Sequence, residues 1–174
     1  MKGNPTRNPI ETARLKDLVA YIEVSHHAFT RDQLGRIAGL VTTLDEAGRP
    51  VPDELRHVCD ELAADLLPHL MKEESILFPY IVALESSPSP PHACFGTLAN
   101  PIRMMNIEHD RLDGVLTRLR ALTDHYRTDS SLADGVVALY AALEALDADL
   151  VQHMYLEDDV LFPRAQQLES EVLT

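Results

Sequence analysis

Apolar residues recur every three or four positions over most of the chain, the period of an amphipathic helix. The first such stretch runs from about Ile10 to about Ala47, with Leu15, Leu18, Val19, Ile22, Phe29, Ile37, Leu40 and Leu44 on its stripe, and ends at Gly48-Arg49-Pro50. The second runs from about Asp53 to Leu84 through Leu55, Val58, Leu62, Leu66, Leu70, Leu77 and Ile81. Pro68 lies inside it, lacks an N–H and is expected to bend it. A proline-rich stretch from Glu85 to Pro101 reads as the one long loop. The third helix is expected from Ile102 to Tyr126, with Ile102, Met105, Leu112, Leu116 and Leu119 on one side. Asp129 or Ser131 is placed to cap the fourth, which reaches Leu168 through Val137, Leu143, Leu146, Leu150, Leu156 and Leu161. Long helices joined by short turns and one loop predict an all-α, up-down-up-down four-helix bundle over residues 10–168. Residues 1–9 are expected to form a flexible N-terminal tail and 169–174 a C-terminal tail.

The halves of the chain echo each other. HLMKEESILFP at 69–79 matches HMYLEDDVLFP at 153–163, each with a Pro ten residues after its His. Upstream, His27 precedes His69 by 42 residues and His109 precedes His153 by 44. Two helical hairpins follow, each bringing one His…His-x-x-x-Glu set, and packed together they would make a pseudo-twofold site on the bundle axis.

Residues at i and i+4 share one helix face. His69 with Glu73, and His153 with Glu157, can therefore each reach one point. One such pair alone signals little, because most are solvated or locally hydrogen-bonded. Here the pair occurs twice, is followed each time by Leu-Phe-Pro and sits amid apolar periodicity. Two inward carboxylates need cations beside them. Imidazole and carboxylate suit iron, manganese or zinc, and carboxylates that can bridge favour a dinuclear centre. His109 lies on the inner stripe of its helix. His26 and His27 compete: periodicity favours His26, the repeat favours His27. His57 points away from His69, His125 sits at a helix end and His92 lies in the proline-rich loop.

Composition narrows the classes. The chain has 174 residues, one domain's worth, and a formal charge of −13, which disfavours a nucleic-acid partner. No apolar run is long enough to span a membrane, and the N-terminus lacks the apolar core of a secretory signal. Cys59 and Cys94 make neither a zinc knuckle nor a disulfide framework, so a reducing cytoplasm is the expected compartment. With no Gly-rich strand-to-helix turn and no Ser-His-Asp arrangement, hydrolase and nucleotide-dependent chemistry are disfavoured.

The segments HHAFTRDQL at 26–34, HLMKEESILFPYI at 69–81, NPIRMMNIEHD at 100–110 and HMYLEDDVLFPRA at 153–165 resemble the hemerythrin-like (HHE) domain. Within it the chain most resembles the repair-of-iron-centres family of di-iron proteins. That resemblance implies two iron ions in an oxo- or hydroxo-bridged centre, held by His27, His69, Glu73, His109, His153 and Glu157, with Glu73 and Glu157 bridging. It selects His27 over His26. It also implies a role in nitrosative and oxidative stress and iron supply to damaged iron–sulfur proteins. The alternatives are reversible binding or sensing of dioxygen or nitric oxide, or enzymatic reduction of nitric oxide or peroxide. The chain departs from that family twice. The small cysteine-containing domain with which many members begin is expected to be missing. A His that many members carry near the end of helix one is replaced by Leu44-Asp-Glu-Ala-Gly48. One metal is then left with fewer protein ligands, with water, a gas molecule, Tyr21, Tyr80 or Tyr155 beside it.

Overall fold

The computed structural model describes residues 9–87, 92–129 and 132–173. Four long helices form an up-down-up-down bundle, and no strand occurs among the described residues. After a 3-10 turn, Pro9–Thr12, helix α1 is built from Leu15–Tyr21, a π-helical stretch Ile22–His27, and Ala28–Glu46. Helix α2 comprises Asp53–Lys72, a π stretch Glu73–Leu77, and Phe78–Ser86. Helix α3 is Ala99–Leu122. Helix α4 comprises Asp134–Tyr155, a π stretch Leu156–Leu161, and Phe162–Val172.

Several boundaries differ from those read in the sequence. Helix α1 proper starts at Leu15, where the side chain of Glu85 accepts hydrogen bonds from the N–H groups of Leu15 and Lys16 at 2.9 and 3.1 Å. Helix α3 ends at Leu122 rather than Tyr126, because Asp124, His125 and Tyr126 all have positive φ. Ser131 lies outside the described residues, and Ala133 occupies the N-cap position of α4 without a side-chain bond. The last helix continues past Leu168 to Val172, because Glu169 is buried and accepts the N–H of Leu98 at 3.0 Å.

The apolar stripes meet in two separate clusters. One contains Leu18, Ile22, Phe78, Ile81, Ile102 and Phe162. The other, toward the opposite end, contains Leu34, Leu62, Leu66, Leu112, Leu116 and Leu150. Between them lies a buried layer of histidines and glutamates. The repeated Leu-Phe-Pro helps to shape the helices there. Pro79 and Pro163 sit at the start of the resumed α-helix, where a missing N–H costs little. The π turns just before them place an extra residue in one turn.

The α3–α4 turn is tied down by Asp147, which is 6% exposed. It accepts Arg120 Nε at 2.8 Å and the Tyr126 hydroxyl at 2.6 Å. Removing the carboxylate would leave a guanidinium and a phenol without their acceptor. Asp147→Ala is therefore expected to destabilise the fold by about 3 kcal/mol. Thermal unfolding would show this as a fall in Tm of roughly 6–12 °C. A change within 2 °C, on the order of one thermal-scan error, would contradict the assignment.

Candidate metal centre

Six side chains converge in the polar layer: His27 from α1, His69 and Glu73 from α2, His109 from α3, and His153 and Glu157 from α4. All are buried, and both glutamates are fully so. They form two groups whose ligand atoms lie within 4.8 Å of one another: His27, Glu73, His153 and Glu157, and His69, Glu73, His109 and Glu157. Both glutamates belong to both groups. Glu73 Oε2 is 3.4 Å from His27 Nε2 and 3.5 Å from His69 Nε2. Glu157 reaches His153 with Oε1 at 2.9 Å and His109 with Oε2 at 3.3 Å.

The histidine pairing crosses the halves of the chain. Each group takes its two imidazoles from opposite hairpins, His27 with His153 and His69 with His109. Each i, i+4 pair stays within one group, His69 with Glu73 and His153 with Glu157, and each group is completed by a histidine and a glutamate from the other hairpin. Antiparallel packing explains it, since α1 lies along α4 and α2 along α3, and only the glutamates reach across.

The Nε2 atoms of His27 and His153 are 3.1 Å apart, and those of His69 and His109 are 3.2 Å apart. Two ring lone pairs so close repel unless a proton or a cation sits between them. For three rings the outer nitrogen faces a carboxylate. His27 Nδ1 is 2.7 Å from Glu74, His69 Nδ1 is 3.0 Å from Glu108, and His109 Nδ1 is 2.9 Å from Asp158. A proton held on Nδ1 by each acid leaves the Nε2 lone pair directed into the cluster. Arg31 clamps Glu74 through two bonds of 2.9 and 2.8 Å, and Lys72 pairs with Glu108. Phe78 stacks on His27 and Phe162 on His109, so the Phe of each Leu-Phe-Pro fixes a ring from the neighbouring helix.

The electrostatics show a site short of positive charge. Burial drives the Glu73 carboxyl up to about 8, and the adjacent Glu157 adds to the shift. Burial also penalises Glu157, but attraction from His153, His109 and His27 outweighs it and holds that carboxyl well below its usual range. Burial alone would lower His27 and His109. The carboxylates of Glu157 and Glu73 hold His27 at about 10, and those of Asp158 and Glu157 hold His109 at about 10. His69, with burial dominant, falls to about 4. Both oxygens of Glu73, and Oε2 of Glu157, are buried without a hydrogen-bond donor. Orphaned carboxylate oxygens facing imidazole lone pairs suit a pair of cations.

His26 is buried too, one position from the cluster. It stacks on His153 with centroids 5.6 Å apart and directs Nδ1 to Asp149 at 2.9 Å, outside both groups. His57, His92 and His125 are exposed. Of the tyrosines weighed as extra ligands, Tyr80 donates to Glu169 at 3.0 Å, Tyr21 meets the edge of His26, and Tyr155 is 40% exposed. Sequence reasoning missed the outer acids. For Glu74 and Asp158 the signal lies in the repeat, where each Glu is followed by a second acid, Glu73-Glu74 and Glu157-Asp158; Glu108 has no acidic counterpart in the other half.

This is the four-helix architecture and paired His/Glu site of a cation-binding bundle, and the chain belongs to the hemerythrin HHE cation binding domain family, whose pattern matches residues 18–165. It is similar to an iron-sulfur cluster repair protein YtfE of Edwardsiella ictaluri, 35% identical over 88% of this chain and 66% of the relative. The YtfE proteins of Musicola paradisiaca and Escherichia coli O157:H7 are each 31% identical, over 95% and 92% of this chain and 72% and 70% of their own length. The chain thus spans about two thirds of the length of these relatives. No helix among the described residues is long and apolar enough to cross a membrane.

If the outer acids orient the rings, Glu74→Gln and Asp158→Asn should each weaken metal retention by roughly 10–100-fold while leaving the fold intact. Competition with a chromogenic chelator measures this. Retention equal to the wild type in both variants would remove the acids from the site.

Proposed function

We propose that the chain is a non-haem di-iron protein of the nitrosative and oxidative stress response that supplies iron for the repair of damaged iron–sulfur clusters. The observation that carries this reading is the sharing of both buried glutamates between two imidazole pairs, a donor set for two cations. The names of the relatives point the same way, as iron-sulfur cluster repair proteins. His27, His153, His69 and His109 would be terminal ligands, with Glu73 and Glu157 bridging.

Each ion would receive four protein donors, two nitrogens and two shared carboxylates. Nitrogen–oxygen sites of this kind suit iron, and manganese and zinc share the preference. Four protein donors per ion would leave room for one small exogenous molecule, a diatomic gas or peroxide. Iron held by so few protein ligands is also positioned for release. When bound, the iron pair would supply redox change and an open coordination position. The chain's residues supply the rest: Glu74, Glu108 and Asp158 fix the rings, and the apolar clusters on both sides restrict water.

A second reading, reversible binding or sensing of dioxygen or nitric oxide, draws on the same open position. It differs in that no iron leaves the protein. The distinguishing test incubates the iron-loaded chain with an iron–sulfur hydratase whose cluster has been destroyed by peroxide. Reactivation accompanied by loss of iron from the chain is expected, with none from Glu157→Ala. No reactivation while the chain keeps its iron and forms a reversible gas adduct would replace the repair reading with the second one.

Metal uptake should also release protons. At pH 7 the metal-free cluster holds protons on His27 and His109, each near 10, and on Glu73, near 8. Cation binding needs neutral imidazoles and ionised carboxylates, so these protons must leave. Affinity should therefore rise as pH increases from 7 toward 10 and fall as it decreases. Calorimetry in buffers of different ionisation enthalpy is expected to show two to three protons released, on the order of one per such group. Release of none would contradict the cluster's charge state.

A further inference from the structure

The repeat allows the two halves of the centre to be compared residue by residue. His27 corresponds to His109 and His153 to His69. The residue before each α1/α3 histidine is then His26 on one half and Glu108 on the other. One turn beyond are Thr30 and Leu112, and two turns beyond lie Gln33 and Val115. One turn before each α2/α4 histidine stand Asp65 and Asp149.

The α2–α3 half is the better satisfied of the two, although a small cavity opens beside Asp65, Pro68, Lys72 and Glu108 and one buried oxygen there, Asp65 Oδ2, lacks a hydrogen bond. Glu108 holds His69 Nδ1, Lys72 pairs with Glu108, Asp65 pairs with Arg111 at 2.9 Å, and Leu112 and Val115 are buried apolar residues. The α1–α4 half is not satisfied. His26 Nε2, Thr30 Oγ1, Gln33 Oε1, Asp149 Oδ2 and His153 Nδ1 are all buried without a hydrogen-bond partner. These atoms lie on two facing helix stripes, 26, 30 and 33 on α1 and 149 and 153 on α4. Each unmet buried polar group costs on the order of 1–3 kcal/mol, so such a concentration on one half calls for a ligand or water.

Thr30 is the most informative of them. It is 0% exposed and stands one turn along α1 from His27, the register position that Leu66, Leu112 and Leu150 hold relative to His69, His109 and His153. Helix side chains lean toward the N-terminus, so its hydroxyl tilts back toward the level of His27. It is the single hydroxyl in an otherwise leucine roof. We propose that the exogenous ligand of the centre binds on the His27/His153 half and that the Thr30 hydroxyl donates a hydrogen bond to it. The ligand class is a small molecule that binds metal through one atom and presents a second oxygen or nitrogen as acceptor. The polar α1–α4 seam, ending at the partly exposed Asp149, is its approach to the centre.

The inference rests on the dinuclear reading above. The test uses the full chain loaded with iron, with azide as the probe, followed through its charge-transfer absorption. Metal content is measured on each sample first. Thr30→Val, which replaces the hydroxyl by a methyl of similar shape, should keep the wild-type iron content yet bind azide about tenfold more weakly. Thr30→Ser should stay within about threefold of wild type and restore the wild-type azide stretching frequency in the infrared. Thr30→Ala repeats the deletion should the valine variant fail to fold. Unchanged azide affinity in iron-loaded Thr30→Val, or no azide binding by the loaded wild type, overturns this inference alone. Failure of the wild type to hold any metal overturns the dinuclear reading with it.

Discussion

Two carboxylates with no exposure, placed in the middle of a hydrophobic core, are the constraint around which this bundle is organised. Each buried anion would cost several kcal/mol if left alone. The fold gathers Glu73 and Glu157 together with four imidazoles, so that protons or cations must balance them. The core is consequently split into two apolar clusters, one on each side of the polar layer. Local structure bends to the same requirement. Three of the four helices carry a π turn at the site, and His27, Glu73 and Glu157 all lie within those turns. An added residue per turn lets inward side chains such as His26 and His27 follow one another directly.

Around that centre the chain builds a second ring of charge. Glu74, Glu108 and Asp158 each hold the outer nitrogen of an imidazole, and Arg31 and Lys72 hold two of those acids from outside. The net charge of −13 thus gains a local meaning, because part of the acidity serves the rings. The ring is incomplete at His153, where His26 stacks instead of donating a carboxylate. The pseudo-twofold design therefore leaves more buried polar atoms without partners on the α1–α4 side than on the α2–α3 side.

Much of this was legible beforehand, for identifiable reasons. The Leu stripes of Leu62, Leu66 and Leu70, or Leu143, Leu146 and Leu150, sit in regular α-helix, where a period of 3.6 holds. The repeat exposed the ligand-type residues because two similar hairpins place similar donors. The choice between His26 and His27 was hard for a physical reason: counting at 3.6 through the π turn Ile22–His27 shifts the inner face by about one residue. No residue type selects a π turn, so the turns themselves could not be read. The crossed pairing of His27 with His153 depends on which helices lie side by side, a tertiary fact. The early end of α3 was hidden because nothing in the side chains of Asp124, His125 and Tyr126 demands positive φ.

Membership of a cation-binding family and likeness to iron-sulfur cluster repair proteins agree with the donor set, and the geometry adds a specific requirement. Because both glutamates serve both donor groups, the centre should load as one unit. The most direct test is metal content per chain after anaerobic reconstitution with ferrous iron, for the wild type and for Glu73→Gln. The account predicts about two irons per wild-type chain, one for each donor group, and fewer than about one in the variant, since both positions lose a donor. A wild-type chain that takes up no metal, or a Glu73→Gln chain that still holds both ions, would contradict it.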